Sequence, residues 1–445
     1  MTVTVRFAPS PTGLMQVGNI RLALVNWLFA RQAGGRFVLR IDDTDAERGK
    51  AEYEQAILDD LTWLGLDWDR LEHQSARGER YFAVIKKLKD DGRLYPCYET
   101  PDELGLKRKT QLAAGKPPIY DRAASRLTDS DRARLAEQGR KPHWRFKIAP
   151  TDMAWDDLAH GAFVFRAEAL SDPVVIREDG TPLYILPSVI DDIDFGITHI
   201  VRGEDHIANS AVHIQLFEAL GASVPVFAHL PLLVDTEGVK LSKRTGALSV
   251  RALREQEGIE PMALLSLLAC LGTSRPVTPV LSLDTLTADF DFGVFSRNKP
   301  RFDPEDALRL NARLLHMSDF DHIRHKLKDM GLDRISAEFW EMCKPNLERL
   351  ADIEDWWRIA KDKIDPVIED VEMLAVATEL LPPDPWNDTT WSNWTAAIKT
   401  ETGRKGKALF RPLRLALTGR DHGPEMKLML PCIGRARALD RLTVR

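Results

Sequence analysis

The sequence predicts a parallel α/β sheet split by an inserted α+β domain and followed by an all-α C-terminal region. Three observations carry this: a strand, loop, helix, strand opening between Thr2 and Ile41, a return of the same rhythm between Thr198 and Val234, and helical periodicity alone thereafter. At 445 residues the chain exceeds what one hydrophobic core serves, so two to four domains are expected.

From Thr2 to Ala8 apolar and polar residues alternate, with Val3, Val5 and Phe7 in step, which reads as a strand. Pro9-Ser10-Pro11-Thr12-Gly13 breaks it, and from Arg21 to Ala33 the apolar residues recur at helical spacing. Gly34-Gly35 stops that helix, and Phe37 to Ile41 reads as the next strand, ending in Asp42-Asp43-Thr44-Asp45. In open parallel sheets ligands gather beyond the carboxyl ends of the strands, where both the Ser-Pro-Thr-Gly loop and the Asp cluster fall. Beyond Tyr81 the rhythm stops, and the charged stretch from Lys86 to Arg145 reads as an insertion. Thr198 to Arg202 and Phe227 to Val234 read as strands around a helix through Ala211 to Leu220, the second half of the sheet. After Lys240-Leu241-Ser242-Lys243-Arg244 the pattern is helical, through Ala263–Leu271 and Asp306–Leu315 to Leu442.

Composition excludes several classes. The chain is 44% hydrophobic and 29% charged, with a mean hydropathy of -0.26 and no low-complexity tract, so extended disorder is not expected. The N-terminus has no basic region followed by an apolar run, and Ala263–Leu271 is too short to span a bilayer, so neither a signal peptide nor a membrane partner is expected. Cys97, Cys270, Cys343 and Cys432 are too widely spaced for a disulfide framework or a paired CxxC zinc site, which suits a reducing cytoplasm. A net charge of -6 argues against nucleic-acid binding. Lys399, Arg404, Lys405, Lys407, Arg411, Arg414, Arg420 and Lys427 nevertheless concentrate positive charge in the last segment.

Two stretches carry chemistry. The loop from Ala8 to Asn19 sets small, turn-forming residues before a helix, whose first N–H groups can meet a phosphate. Lys240, Lys243 and Arg244 place three cations within one short segment, where they could cover a triphosphate as pyrophosphate leaves. Taken singly, a plain structural turn and a solvated basic turn are the commoner readings.

Together they say more. Phe7-Ala8-Pro9-Ser10-Pro11-Thr12-Gly13 with Gln16-Val17-Gly18-Asn19, and Lys-Leu-Ser-Lys-Arg far downstream, resembles the paired ATP motifs of class I aminoacyl-tRNA synthetases. The flanks Asn26 to Arg31, Ile41 to Asp45, Val201 to His206, Ala247-Leu248-Ser249, Arg301 to Pro304 and Gly406 to Phe410 resemble the bacterial-type glutamyl branch, over nearly the whole chain. The resemblance implies a Rossmann-type catalytic domain split into 1–80 and 184–244, an acceptor-end-binding insertion at 81–183, a helical stem-contact region at 245–316 and a helical anticodon-binding domain at 317–445. It implies ATP, with Mg²⁺ bound chiefly through it, L-glutamate and tRNA for glutamate as substrates, leaves tRNA for glutamine open, and favours a monomer. Arg6 and Arg202 would meet glutamate carboxylates through bidentate hydrogen bonds, Ser10 and Tyr184 would add neutral ones, and Asp42 would hold the α-ammonium. Pro9, Ser10, Gly18, Asn19, Glu204, Lys240, Lys243 and Arg244 would bind ATP, and Lys243, Gln16 and Asn19 would act in catalysis. Trp356, Trp357, Phe410 and the cations near Lys405 are residue types that read unstacked RNA bases, although paired tryptophans on a helix more often pack inward.

Three departures from the family's pattern stand out. Gln16 replaces the usual histidine and can hydrogen-bond a phosphate but never add charge. Ile185 follows Tyr184 where many relatives carry a polar residue. Some relatives hold zinc in the insertion, whereas here Cys97-Tyr98-Glu99 and Tyr120-Asp121 offer one thiolate, so no zinc is expected. Two rival readings remain: a glutamyl-queuosine-type enzyme acting on a tRNA base, against which the long helical C-terminal region argues, and a catalytically silent RNA-binding paralogue, which only Gln16 motivates.

Overall fold

The protein is described from a computed structural model covering residues 2–45, 48–239 and 249–443. Lys240, Lys243 and Arg244 lie outside these described residues. The chain divides into two compact units, one formed by residues 1–253 with 265–303 and the other by 254–264 with 304–445. The expected stem-contact segment, 245–316, is thus shared between them.

In the first unit, strand β1 (Thr4–Phe7) leads through the Pro-rich loop to helix α1 (Val17–Gln32), strand β2 (Arg36–Ile41), helix α2 (Ala51–Trp63), strand β3 (Arg70–His73) and helix α3 (Gly78–Asp90). The three strands are parallel in the order β1-β2-β3, with Val5 beside Phe37 and Leu39 beside Leu71. β1 is buried along its whole length and β2 from Phe37 to Ile41, as expected of a parallel sheet covered on both faces.

The insertion follows. Strands β4 (Leu94–Cys97), β5 (His143–Phe146) and β8 (Val174–Ile176) form an antiparallel sheet, accompanied by helices α4 (Pro101–Ala113) and α5 (Asp129–Glu137). Neither helix has a buried residue. Both begin with a reciprocal capping box, Thr100 with Glu103 and Thr128 with Asp131.

A hairpin within the expected insertion belongs elsewhere. Strands β6 (Met153–Asp157) and β7 (Gly161–Phe165) join β9 (His199–Gly203) and β10 (Val226–Leu230) in the order β7-β6-β10-β9. β9 and β10 are parallel, with Arg202 directly beside His229, and β6 meets β10 at Asp157 and Phe227. Helices α6 (Ile185–Asp194) and α7 (Ile207–Ala219) cover this half, with the aliphatic residues Leu186, Val189, Ile190, Ala211, Ile214 and Leu216 in its core. Thr198 N–H donates to Thr4 O at 2.9 Å and Thr4 N–H to Thr198 Oγ1 at 2.8 Å, so β1 and β9 are neighbours where the two half-sheets meet.

The second unit contains no strand among its described residues. Its helices, among them Asp352–Lys361, Thr390–Thr402 and Lys407–Thr418, enclose a core with Trp340, Trp356, Trp394, Leu413 and Met429. Trp356 is buried there, and Trp357 packs against the same core edge-on to Phe339. Phe410 is 46% exposed. No helix among the described residues is long and apolar enough to cross a membrane.

Candidate active site

A cavity of about 570 Å³ opens beyond the carboxyl ends of β1 and β9, where the two halves of the sheet diverge. This is the ligand position expected of an open α/β sheet. Of the residues singled out by sequence, Arg6, Pro9, Ser10, Gln16, Gly18, Asn19, Asp42, Tyr184 and Arg202 line it. Glu204 does not; its Oε1 accepts from Leu232 N–H at 3.4 Å, and its charge acts on buried Arg21, a residue of the cavity lining. Ile185 is also absent from the lining and packs on the core.

The Pro-rich loop is tied down at both ends. Asp42 N–H donates to Pro9 O at 3.0 Å and Lys50 N–H to Pro11 O at 3.1 Å, locking the loop against the end of β2. Asn19 Oδ1 accepts from Gln16 N–H at 3.3 Å, so Asn19 serves the helix start. Gln16 Nε2 reaches Leu14 O at 3.4 Å while its buried Oε1 has no protein partner. Ser249 forms an antiparallel bridge with Gln16, and Val250 N–H donates to Met15 O at 3.0 Å. The far-downstream basic motif therefore has its C-terminal flank at the first motif.

Beneath the cavity lies a charge network that periodicity and motif could not reveal. Arg40 Nε and Nη2 meet the two oxygens of Asp42 at 2.7 and 3.2 Å, and Arg40 Nη1 meets Asp192 Oδ1 at 2.8 Å. The same Asp192 oxygen accepts from Arg6 Nε at 3.1 Å. Neighbouring Asp191 accepts from Gln74, Arg77 and Tyr81 at 2.7–3.0 Å. Both Asp42 oxygens are thus engaged by Arg40, and an ammonium would share them. Burial raises the Asp42 carboxyl above its usual value against the lowering pull of Arg40.

Arg202 differs from Arg6 and Arg40. Its Nη2 donates to Ser210 Oγ at 2.5 Å and its Nη1 lies 3.4 Å from His213 Nδ1. Among the described residues it joins no ion pair within 4 Å, and its buried Nε has no partner. Burial, with Arg6 adding repulsion, pushes its pKa down to about 9, leaving it a cation at neutral pH. Burial holds His206 below the usual histidine range, and His213 well below it, with Arg202 adding to both shifts. Tyr184, 43% exposed, accepts a hydrogen bond from Asn209 Nδ2. The cavity therefore offers a desolvated cation with no carboxylate in ion-pair contact among the described residues, helped only from longer range by Asp192 and Asp205, next to a second arginine with unused N–H groups. That is a receptor for a carboxylate.

The residues around Cys97 do not fit a zinc site. Burial pushes the thiol up to about 12, Tyr120 Oη sits 3.8 Å from Sγ, and Glu99 Oε1 is occupied by Tyr120 at 2.8 Å and Lys107 at 3.2 Å. Among the described residues no group of three or more His, Cys, Asp or Glu side chains converges for a metal.

Comparison with known proteins agrees with this geometry. Residues 2–306 match the family described as "tRNA synthetases class I (E and Q), catalytic domain", and residues 327–444 match "Anticodon binding domain". The chain is 58% identical over 442 residues to a glutamate–tRNA ligase of Azospirillum brasilense, covering 99% of both chains. It is 54% identical over 440 residues to glutamate–tRNA ligase 1 of Parvibaculum lavamentivorans, covering 98% of each. Among solved structures, a glutamate tRNA ligase from Elizabethkingia meningosepticum, in complex with its amino acid, superposes with a TM-score of 0.86 at 27% identity, covering 99% of this chain and 98% of the other.

Proposed function

Because the chain belongs to the glutamate–tRNA ligases, class I aminoacyl-tRNA synthetases, we propose that it joins L-glutamate to the 3′-terminal adenosine of tRNA for glutamate through a glutamyl-adenylate. The single observation that carries the substrate assignment is Arg202, a buried cation without a partner carboxylate among the described residues, lining the cavity beside Arg6. A glutamate carboxylate supplies the missing counterion. Glutamine brings a neutral amide and leaves the desolvated charge uncompensated, which penalises it.

In the first step a carboxylate oxygen of the glutamate α-carboxyl attacks the α-phosphorus of ATP, forming the glutamyl-adenylate as pyrophosphate departs. In the second, a ribose hydroxyl of the terminal adenosine attacks the activated carbonyl and AMP leaves. No protein nucleophile is required, so the chain acts by positioning and by stabilising charge. Pro9, Ser10 and Gly18 take the nucleotide at the start of α1, with Gln16 donating to phosphate. Lys243, assisted by Lys240 and Arg244, neutralises the phosphates as pyrophosphate forms. Glu204 acts there through Arg21. Asp42, already paired with Arg40, takes the α-ammonium as a second donor, and Tyr184 and Ser10 complete the glutamate contacts. Mg²⁺ arrives with the ATP, and the Cys97 cluster holds the insertion without zinc. tRNA binds before activation, with its acceptor end on 81–183, its stem on 245–316 and its anticodon on 317–445. The enzyme works as a cytoplasmic monomer, a compartment supported by its four free cysteines. The anticodon-binding stretch at 327–444 favours ligation over modification of a tRNA base.

The test is aminoacylation of purified tRNA for glutamate and tRNA for glutamine with labelled glutamate, with Lys243→Ala as control. Charging that collapses in the variant is the expected result, and the pattern between the two tRNAs reads out discrimination. No charging of either by folded protein, or brisk pyrophosphate exchange without tRNA, overturns the scheme.

A further inference from the structure

Asp157, His229 and Ser210 form a hydrogen-bonded line ending on Arg202, in a part of the fold that no motif marks. Asp157 Oδ1 accepts the backbone N–H groups of Ala159, His160 and His229 at 3.0–3.1 Å, while its Oδ2 lies 2.6 Å from His229 Nδ1. His229 Nε2 lies 2.7 Å from Ser210 Oγ, which in turn receives Arg202 Nη2 at 2.5 Å. His229 and Ser210 are wholly excluded from solvent and Asp157 nearly so. The His229 ring stacks on Phe227 at an interplanar angle of 12°, with Trp155 and Phe163 around it.

Donor and acceptor counting fixes the order of protons along this line. The backbone hydrogen bonds and His229 hold the Asp157 carboxyl below its usual range despite burial, so it is an acceptor only. His229 must then carry its proton on Nδ1, and burial keeps the ring neutral, leaving Nε2 as an acceptor. Ser210 has one proton and two candidate acceptors, Nε2 at 2.7 Å and His206 O at 3.2 Å; the nearer one takes it. Its oxygen is thereby presented to Arg202. The line crosses neighbouring strands, since Arg202 on β9 sits beside His229 on β10, and Asp157 on β6 is in register with Phe227 on β10.

We infer that Asp157, His229 and Ser210 are positioning residues that hold the Arg202 guanidinium in the one orientation that keeps its remaining N–H groups for the glutamate carboxylate. The solvent exclusion of Ser210 removes it from direct chemistry; it acts through Arg202. Arg202 has no carboxylate in ion-pair contact to orient it among the described residues, so a neutral acceptor does so, while Asp192 and Asp205 act on its charge only from longer range. An acid in place of Ser210 would satisfy Arg202 and compete with glutamate. This inference rests on the assignment of Arg202 to glutamate given above.

The experiment measures KM for glutamate, KM for ATP and kcat in tRNA charging by full-length Ser210→Ala, His229→Asn, the double variant and Arg202→Ala. Asparagine can still donate to Asp157 but falls short of Ser210, so it keeps the β6–β10 tie while cutting the line to Arg202. Ser210→Ala is expected to raise the glutamate KM by about tenfold, the cost of one hydrogen bond to a charged group, and His229→Asn, which leaves Ser210 in place but frees its proton to turn to His206 O, to raise it by less, both leaving the ATP KM within about twofold. The double variant is expected to be no worse than the poorer single one, because either cut breaks the same line. Unchanged glutamate KM in folded Ser210→Ala, with Arg202→Ala crippled, overturns the positioning role alone. An equal rise in both KM values overturns it too. Unchanged glutamate KM in Arg202→Ala overturns the underlying assignment. Should His229→Asn fail to fold, Ser210→Ala, which removes one oxygen, decides by itself.

Discussion

Arg202, proposed to bind glutamate, is a cation held at the expense of stability. Folding lowers its pKa to about 9, so the folded protein penalises the cation at every pH below about 9, and the penalty fades only as the pH rises beyond that value. Arg202→Met is accordingly expected to raise the melting temperature of the free protein while lowering kcat/KM for glutamate about a hundredfold or more. Calorimetry and charging kinetics on one sample check both signs. Arg6, Arg202, Ser10 and Tyr184 could be read from their motifs, and all line the cavity. Their supports could not. Asp192 meets Arg6 and Arg40 across separations of 186 and 152 positions, which no local pattern encodes. Asp42 is legible as a cluster acid, but its commitment to Arg40 is not.

Single elements divide along the same line. The turn between α1 and β2 was plain from Gly34-Gly35, and its geometry explains why: Gly34 has a φ of 58°, and a Cβ on Gly35 would stand 2.3 Å from Val3 O. Gly35→Ala is expected to destabilise the first unit by about 2–3 kcal/mol, because strand backbone must shift to admit the methyl group; denaturant unfolding measures it. Helices α4 and α5 carried their start signals in Thr100 to Glu103 and Thr128 to Asp131, yet with no buried face they lacked the periodicity by which helices are recognised. Around Cys97 the element-level prediction concerns metal. Protein purified without added metal is expected to contain no stoichiometric zinc and to keep its melting temperature in a zinc chelator. Tyr120→Phe, which strips the hydroxyl from Glu99 and Ala124, is expected to cost about 1–3 kcal/mol. Metal analysis and melting of the variant read these separately.

Across the whole molecule, net charge and partner pull in opposite directions, and distribution resolves them. The net charge is -6, and several C-terminal cations are already spoken for: Arg404 pairs with Asp370, Arg411 with Glu369, Arg420 with Asp355 and Lys427 with Glu425. Lys399, Lys405 and Lys407 are exposed and, among the described residues, join no ion pair. Within this segment these three are the lysines free to release counterions on phosphate contact, so replacing all three by alanine is expected to flatten the log–log slope of the tRNA KM against salt by about 2–3, while the KM for glutamate, set in a buried pocket, changes little. A salt titration of both constants tests this.

The family, the α/β class and the helical C-terminal region were legible in the chain itself, because each is written in local periodicity or contiguous motif. Assembly decided the rest. The hairpin of β6 and β7, placed within the insertion by its position in the sequence, joins the second half-sheet, where Asp157 accepts from the backbone of His229 on β10 and pairs with its ring. The proposed carboxylate receptor depends on folding, which strips water from Arg202 and brings a serine, not an acid, to its side. A local pattern can announce which residues meet a ligand; only long-range packing sets the charge and the orientation with which they meet it.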